Sequence, residues 1–159
     1  MGSQSKIDCA YIAGFLDGDG SLMLQIKKRK DGKSKIRFMA TICLYQDTRH
    51  ARDLNWMRKF FEIGYISKRN DGMSELRING YDSVKTILEL LLPYIRFKKI
   101  QAESLHEACT ILSSKKYKEL LKSDVLRLVD LILVIQKENY ITKRKKTKEE
   151  LIKSLDLTP

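Results

Sequence analysis

Two stretches of strict alternation limit what this chain can fold into. Leu22, Leu24 and Ile26 alternate with Met23, Gln25, Lys27 and Arg29. Further on, Ile36, Phe38, Ala40, Ile42 and Leu44 alternate with Lys35, Arg37, Met39, Thr41 and Cys43. A period of two gives each strand one apolar and one polar face. Lys30-Asp31-Gly32-Lys33 between them reads as a hairpin tip, with Asp-Gly as the turn signal. The polar faces are rich in Lys and Arg, so they are expected to meet something other than a core. A second hairpin is expected from strands at about 65–69 and 74–79 around Asn70-Asp71-Gly72, with Tyr65, Ser67, Arg69, Glu75, Arg77 and Asn79 outward.

Helical periodicity surrounds these hairpins. Asp8–Leu16 carries an apolar stripe of Ile12, Phe15 and Leu16 and a face of small residues, Ala10, Ala13 and Gly14. Asp8 is the expected N-cap, and Gly18 and Gly20 the expected stop. Asp47-Thr48 opens a helix to about Ile63, which Gly64 ends. Tyr81–Leu92 is helical up to Pro93, and helices at about 99–112, 124–137 and 147–155 follow. The order is α-β-β-α-β-β-α with helices appended. It predicts an α+β fold, a four-stranded antiparallel sheet with helices on one side. The expected organisation is one domain over 1–159, with a core at 7–112 and C-terminal helices and a basic segment at 113–159.

Charge narrows the partners. Lys and Arg number 31 against 20 Asp and Glu, a net charge of +11. That excess favours a polyanion, first of all nucleic acid. A membrane surface fits poorly, because the basic residues lie on strand faces rather than on one amphipathic helix. No apolar run approaches the ~18 residues of a membrane span, and Met1–Lys6 lacks the apolar stretch of a signal peptide. Cys9, Cys43 and Cys109 are far apart and only two histidines are present, which excludes a zinc finger. The odd thiol count points to an intracellular, reducing compartment.

The segment Ile12-Ala13-Gly14-Phe15-Leu16-Asp17-Gly18-Asp19-Gly20-Ser21 carries the chemistry. Helix-end carbonyls present partial negative charge. With the Asp19 carboxylate and the main chain at Gly18, they make an oxygen-rich site suited to a hard divalent cation. Ala13 and Gly14 allow close helix–helix approach. Two such helices side by side would bring two copies of Asp19 together, a repulsion that bound metal relieves.

The same segment resembles the signature of the LAGLIDADG homing endonucleases, through Ala13, Gly14, Asp17, Asp19 and Gly20. The element order resembles the family's fold, and Arg96-Phe97-Lys98-Lys99-Ile100-Gln101-Ala102 is similar to the segment that carries its active-site lysine. The resemblance implies an αββαββα protein that cuts DNA with Mg²⁺ or Mn²⁺. It gives catalytic roles to Asp19, Gln46 and Lys98, metal ligation to Asp19 and Gly18, and a second basic role to one of Arg49, His50 or Arg52. One motif in the chain implies a homodimer, with Ala10, Ala13, Gly14 and Asp17 at the two-fold axis. Asp17 also has a bracing role at the helix junction as an alternative.

The outward strand residues Met23, Gln25, Lys27, Arg29, Lys35, Arg37, Arg69, Glu75 and Arg77 are the expected DNA-binding set. A β-ribbon enters the major groove, where Arg suits guanine, Gln adenine and Glu cytosine. Nine strand residues span about 30 Å, or about nine base pairs, so two subunits cover about twenty. Lys143, Arg144, Lys145 and Lys146 are expected on backbone phosphates. The implied function is cleavage of both strands at a long, near-palindromic site, promoting intron mobility. An intron RNA maturase and a non-catalytic DNA-binding regulator are the alternatives.

Overall fold

A computed structural model describes residues 5–30, 36–139 and 143–155. The chain runs α1 (Lys6–Asp19), β1 (Gly20–Lys28), β2 (Ile36–Asp47), a 3-10 turn (Thr48–His50), α2 (Arg52–Phe61), β3 (Tyr65–Lys68), β4 (Met73–Asn79) and α3 (Tyr81–Leu91). After these come α4 (Lys99–Ser114), a second 3-10 turn (Tyr117–Glu119), α5 (Lys122–Glu138) and α6 (Lys148–Ser154). The Asp31-Gly32 turn, Lys33 and Lys35 lie outside the described residues.

The four strands form one antiparallel sheet in the order β1-β2-β4-β3. Both hairpins pair internally, and β2 joins them by pairing with β4. The expected alternation holds. Leu22, Leu24, Phe38, Ala40, Ile42, Leu44, Leu76 and Ile78 are all buried on the helical side. They form one cluster with Ile12 and Leu16 of α1, Leu88 and Leu91 of α3, Leu105 of α4, and Leu128 and Ile132 of α5. Leu151 and Leu155 join the same cluster from the C-terminal end. Each of the leucine, isoleucine and phenylalanine side chains contributes about 1.5–3 kcal/mol on burial.

The first helix differs from expectation at both ends. It starts at Lys6, because the Ser5 hydroxyl accepts from the Ile7 N–H (3.2 Å) and is the cap instead of Asp8. It also runs through Gly18 and ends on Asp19, whose neighbour Gly20 donates its N–H to the Leu16 carbonyl. Gly20 has a steric reason to be glycine: a Cβ there would lie 2.4 Å from Leu16 Cδ1 and 2.8 Å from Leu16 O. The chain can thus turn from helix to strand within one residue. Gly64 plays a comparable part after α2, with φ +97° and a Cβ position 2.9 Å from Ile78 Cγ1. The second expected helix is split, because Asp47 caps the 3-10 turn by accepting from the Arg49 N–H at 2.9 Å.

Candidate functional site

The end of α1 and the segment after α3 hold each other. The Asp17 carboxylate accepts from the backbone N–H groups of Arg96 (2.8 Å) and Lys98 (3.0 Å). In return Lys98 Nζ donates to the carbonyls of Leu16 (3.0 Å) and Asp17 (2.7 Å). The lysine therefore sits on the negative end of the α1 dipole. Burial lowers its pKa from the ordinary lysine value, and the nearby Asp17 and Asp19 carboxylates oppose that shift.

Asp19, Gly18 and Lys98 line one cleft of about 430 Å³ together with Ser21, Met23, Tyr45, Arg69 and Gln101. The cleft opens at the junction of helix and sheet. Ser21 Oγ and Tyr45 Oη share a hydrogen bond of 3.0 Å, and the Arg69 guanidinium lies 5.8 Å from the Tyr45 ring centre. Arg69 is also paired with Asp71 at 3.0 Å.

Gln46 lies two residues beyond the Gly20–Leu44 pair but does not line this cleft. It shares parity along β2 with the core-facing Leu44, and its Oε1 accepts from the Asp47 N–H at 2.8 Å. Of the three candidate basic residues, Arg49 forks onto Asp47 through Nε (3.0 Å) and Nη2 (2.8 Å). That pair holds the Asp47 carboxyl well below the usual carboxylate range. His50 and Arg52 are both exposed beside it.

The donor set suits a hard cation, since it consists of oxygens, the Asp19 carboxylate and helix-end carbonyls. Among the described residues no group of three His, Cys, Asp or Glu side chains converges within one chain. A divalent ion here would draw its remaining ligands from a second copy of Asp19, phosphate or water.

The polar face of the sheet reads in cross-strand rows. Ser21, Cys43, Arg77 and Tyr65 form the row next to the end of α1. Then come Met23 with Thr41 and Asn79, Gln25 with Met39, and Lys27 with Arg37. Arg29 follows β1 at the outer end, exposed like Lys27 and Arg37. Lys35 lies outside the described residues. Glu75 departs from its expected role. It is only 7% exposed, and its Oε1 accepts from both Arg77 Nε (3.0 Å) and Ser67 Oγ (3.3 Å).

The basic tail segment lies against α5 near β1. The Lys146 N–H donates to Gln136 Oε1 (2.9 Å), and Lys145 Nζ donates to the Lys137 carbonyl (3.3 Å). Lys143 and Arg144 are exposed.

The expected small-residue face of α1 needs correction. Ala13 is fully buried in the core, because it falls on the same side as Ile12 and Leu16. Asp17 turns to its own chain, as described above. Ala10 and Gly14 are exposed, in a stripe with Ile7 (81% exposed) and Tyr11 (60%), and Phe97 (88%) stands beside them. A groove of about 390 Å³ runs between α1 and this segment, lined by Ala10, Gly14, Pro93, Tyr94 and Phe97 among others. Trp56 of α2 extends the stripe by an edge-on contact with Tyr11 at 5.9 Å between ring centres. Ile7, Tyr11, Trp56 and Phe97 were not among the expected interface residues. The spacing of Ile7, Tyr11 and Gly14 on the side opposite Ile12 and Leu16 was the available signal.

The LAGLIDADG endonuclease family matches residues 12–109. The chain belongs to the LAGLIDADG endonuclease family. Among its relatives is the DNA endonuclease I-CvuI of Chlorella vulgaris, 38% identical over 98 residues, which are 62% of this chain and 61% of that protein. The DNA endonuclease I-CreI of Chlamydomonas reinhardtii is 27% identical over 145 residues, 91% of this chain and 86% of that one. The crystal structure of I-CvuI in complex with its target in the presence of Ca superposes with a TM-score of 0.82 at 30% identity, covering 94% of this chain and 95% of that one. A second I-CvuI structure, with the I-CreI target and Mg and with the DNA uncleaved, gives a TM-score of 0.81.

Proposed function

We propose that this LAGLIDADG chain is a site-specific homing endonuclease that cuts both strands of a near-palindromic DNA site of about twenty base pairs, the reach of two sheets, and so promotes intron mobility. The observation that carries this reading is the convergence of Asp19, the α1 carbonyl end and Lys98 in one cleft, opening onto a basic sheet face. The I-CvuI structures, bound to DNA with Ca or Mg, support it.

Asp19 and the Gly18 carbonyl would hold the divalent ion, with Mg²⁺ first and Mn²⁺ as its substitute. Held there, such an ion would lower the pKa of a bound water and offset charge at the scissile phosphate. The Lys98 ammonium, clasped against α1, stands ready beside the developing negative charge. The sheet rows orient the duplex by base edges, and Lys143 and Arg144 with the rest of the tail hold backbone phosphate.

Two copies would meet through the exposed stripe of Ile7, Ala10, Tyr11 and Gly14 with Phe97, which places two α1 ends side by side. Free, buried thiols at Cys9, Cys43 and Cys109 support a reducing, intracellular setting. The test is incubation with a library of long duplexes and Mg²⁺, followed by sequencing of the cut ends. Paired cuts on both strands at one related set of sites are expected. Uncut duplex together with tight binding of intron RNA would replace this reading with a maturase.

A further inference from the structure

The sheet face holds five arginine and glutamate side chains that sequence alone treats as equal candidates for base contact: Arg29, Arg37, Arg69, Glu75 and Arg77. The structure separates them. Arg29 and Arg37 are exposed at the outer end, and Arg69 is tied to Asp71 at the hairpin turn. Arg77 is braced within the face by its own strand: its side chain is 27% exposed, and its Nε donates to Glu75 Oε1 at 3.0 Å. Ser67 Oγ donates to the same oxygen from the neighbouring strand. The two terminal nitrogens of Arg77 have no partner among the described residues. Burial alone would lower the pKa of the guanidinium, but the Glu75 bond and the neighbouring Cys43, Glu75 and Tyr65 raise it overall.

A guanidinium fixed through Nε and free at both Nη atoms presents the fork that matches guanine O6 and N7. Little rotamer freedom remains to be lost on binding, which favours selectivity over mere attraction. We infer that Arg77 is the guanine-reading residue of the inner half-site and that Glu75 is its positioning residue, not a reader of cytosine. The inference rests on the endonuclease reading of the sheet face.

Register gives the place of that guanine. Arg77 shares a row with Ser21, two residues beyond Asp19, whereas Arg37 pairs with Lys27. Six residues of strand between Ser21 and Lys27 span about 20 Å, or about six base pairs. The Arg77 contact therefore falls about two to four base pairs outward of the scissile phosphate, with its symmetric copy in the other half-site.

The experiment is selection of duplexes from a randomised library by the full chain in Ca²⁺, read position by position, in parallel with Mg²⁺ cleavage. The parent is expected to select guanine at one inner position of each half-site by roughly five- to a hundred-fold over other bases. Arg77→Gln is expected to shift that position alone toward adenine. Glu75→Gln keeps the shape and an acceptor oxygen, and should weaken the guanine preference there several-fold while other positions keep theirs. In the Arg77→Gln background Glu75→Gln should have no further effect on that position. A parent that selects and cuts duplexes while Arg77→Gln leaves every position unchanged overturns this inference alone. So does a uniform loss across sequences with a salt slope shallower by about 0.9 for each contact removed, the mark of a phosphate contact. A parent that selects no duplex overturns the endonuclease reading and this inference with it.

Discussion

Asp17 and Lys98 hold each other through their main chains. An Asp17 carboxylate oxygen takes the Lys98 N–H at 3.0 Å, and Lys98 Nζ gives a hydrogen bond to the Asp17 carbonyl at 2.7 Å. This clasp joins residues 81 positions apart. It fixes the ammonium at the end of the helix that carries Asp19. Asp17 is thus a brace of this helix end, while Asp19 lines the cleft.

Removing the brace has a readout that needs neither DNA nor metal. Asp17→Ala leaves the Arg96 and Lys98 N–H groups without their carboxylate. A charged acceptor lost from one part-buried and one exposed donor costs about 1–2 kcal/mol. Denaturant melts of the free protein are expected to show that loss, and Lys98 would lose its fixed place with it. Unchanged melting would show that the clasp contributes nothing.

The two glycines flanking Asp19 should behave oppositely. A Cβ on Gly20 collides with Leu16, so Gly20→Ala is expected to destabilise the fold by about 1–3 kcal/mol through overpacking. Nothing lies within 4 Å of a Cβ on Gly18, so Gly18→Ala is expected to keep or raise thermal stability. Thermal melts of both variants decide it.

Gly14→Leu tests the association. Within one chain the site is open, with nothing inside 4 Å of a Cβ, so the fold is expected to survive. A leucine at the proposed two-fold axis would overlap its copy. Light scattering should give twice the 18.5 kDa chain mass for the parent and a single chain mass for the variant. A parent at 18.5 kDa at micromolar concentration contradicts the dimer.

The Glu107–Arg127 pair, bidentate at 2.7 and 2.9 Å, joins α4 to α5. The Arg127 hydrogen bonds hold the Glu107 pKa below its ordinary value despite partial burial. A depressed carboxylate pKa stabilises above the unfolded-state value of about 4.3, and that stabilisation is lost as pH falls through the folded pKa. Glu107→Gln should therefore melt earlier than the parent at pH 7, and the gap should close at strongly acidic pH. A gap that does not change with pH would assign the effect to packing.

Much of this was legible from the sequence, for local reasons. Period-two alternation placed Leu22 to Ile26 and Phe38 to Leu44 on the core side, because strand parity depends on nothing beyond the strand. The Thr147 cap of α6, with Glu150 three residues on, is equally local. What stayed hidden depends on contacts across the chain. Ala13 looked like a contact residue by size, yet its burial depends on the angle at which α1 meets the sheet. Phe97 sits in a basic run, and only the docking of that segment on Asp17 turns it outward next to Gly14. Glu75 looked like a base reader by parity, but Ser67 and Arg77 on adjacent strands and positions take its oxygen. Gln46 has the residue type the resemblance asks for, while its side chain turns to its own neighbour's N–H.

The most direct test compares cleavage and binding by Asp19→Asn. Asparagine keeps the side-chain shape and the helix end but removes both of the carboxylate charges that two chains would offer a metal. Target binding rests on the sheet rows and phosphate contacts, so it is expected to hold or tighten. Cleavage in Mg²⁺ is expected to slow by more than three orders of magnitude, corresponding to about 5 kcal/mol of transition-state stabilisation. Full cleavage by the Asp19→Asn protein would contradict the assignment of this carboxylate to the metal and to the reaction.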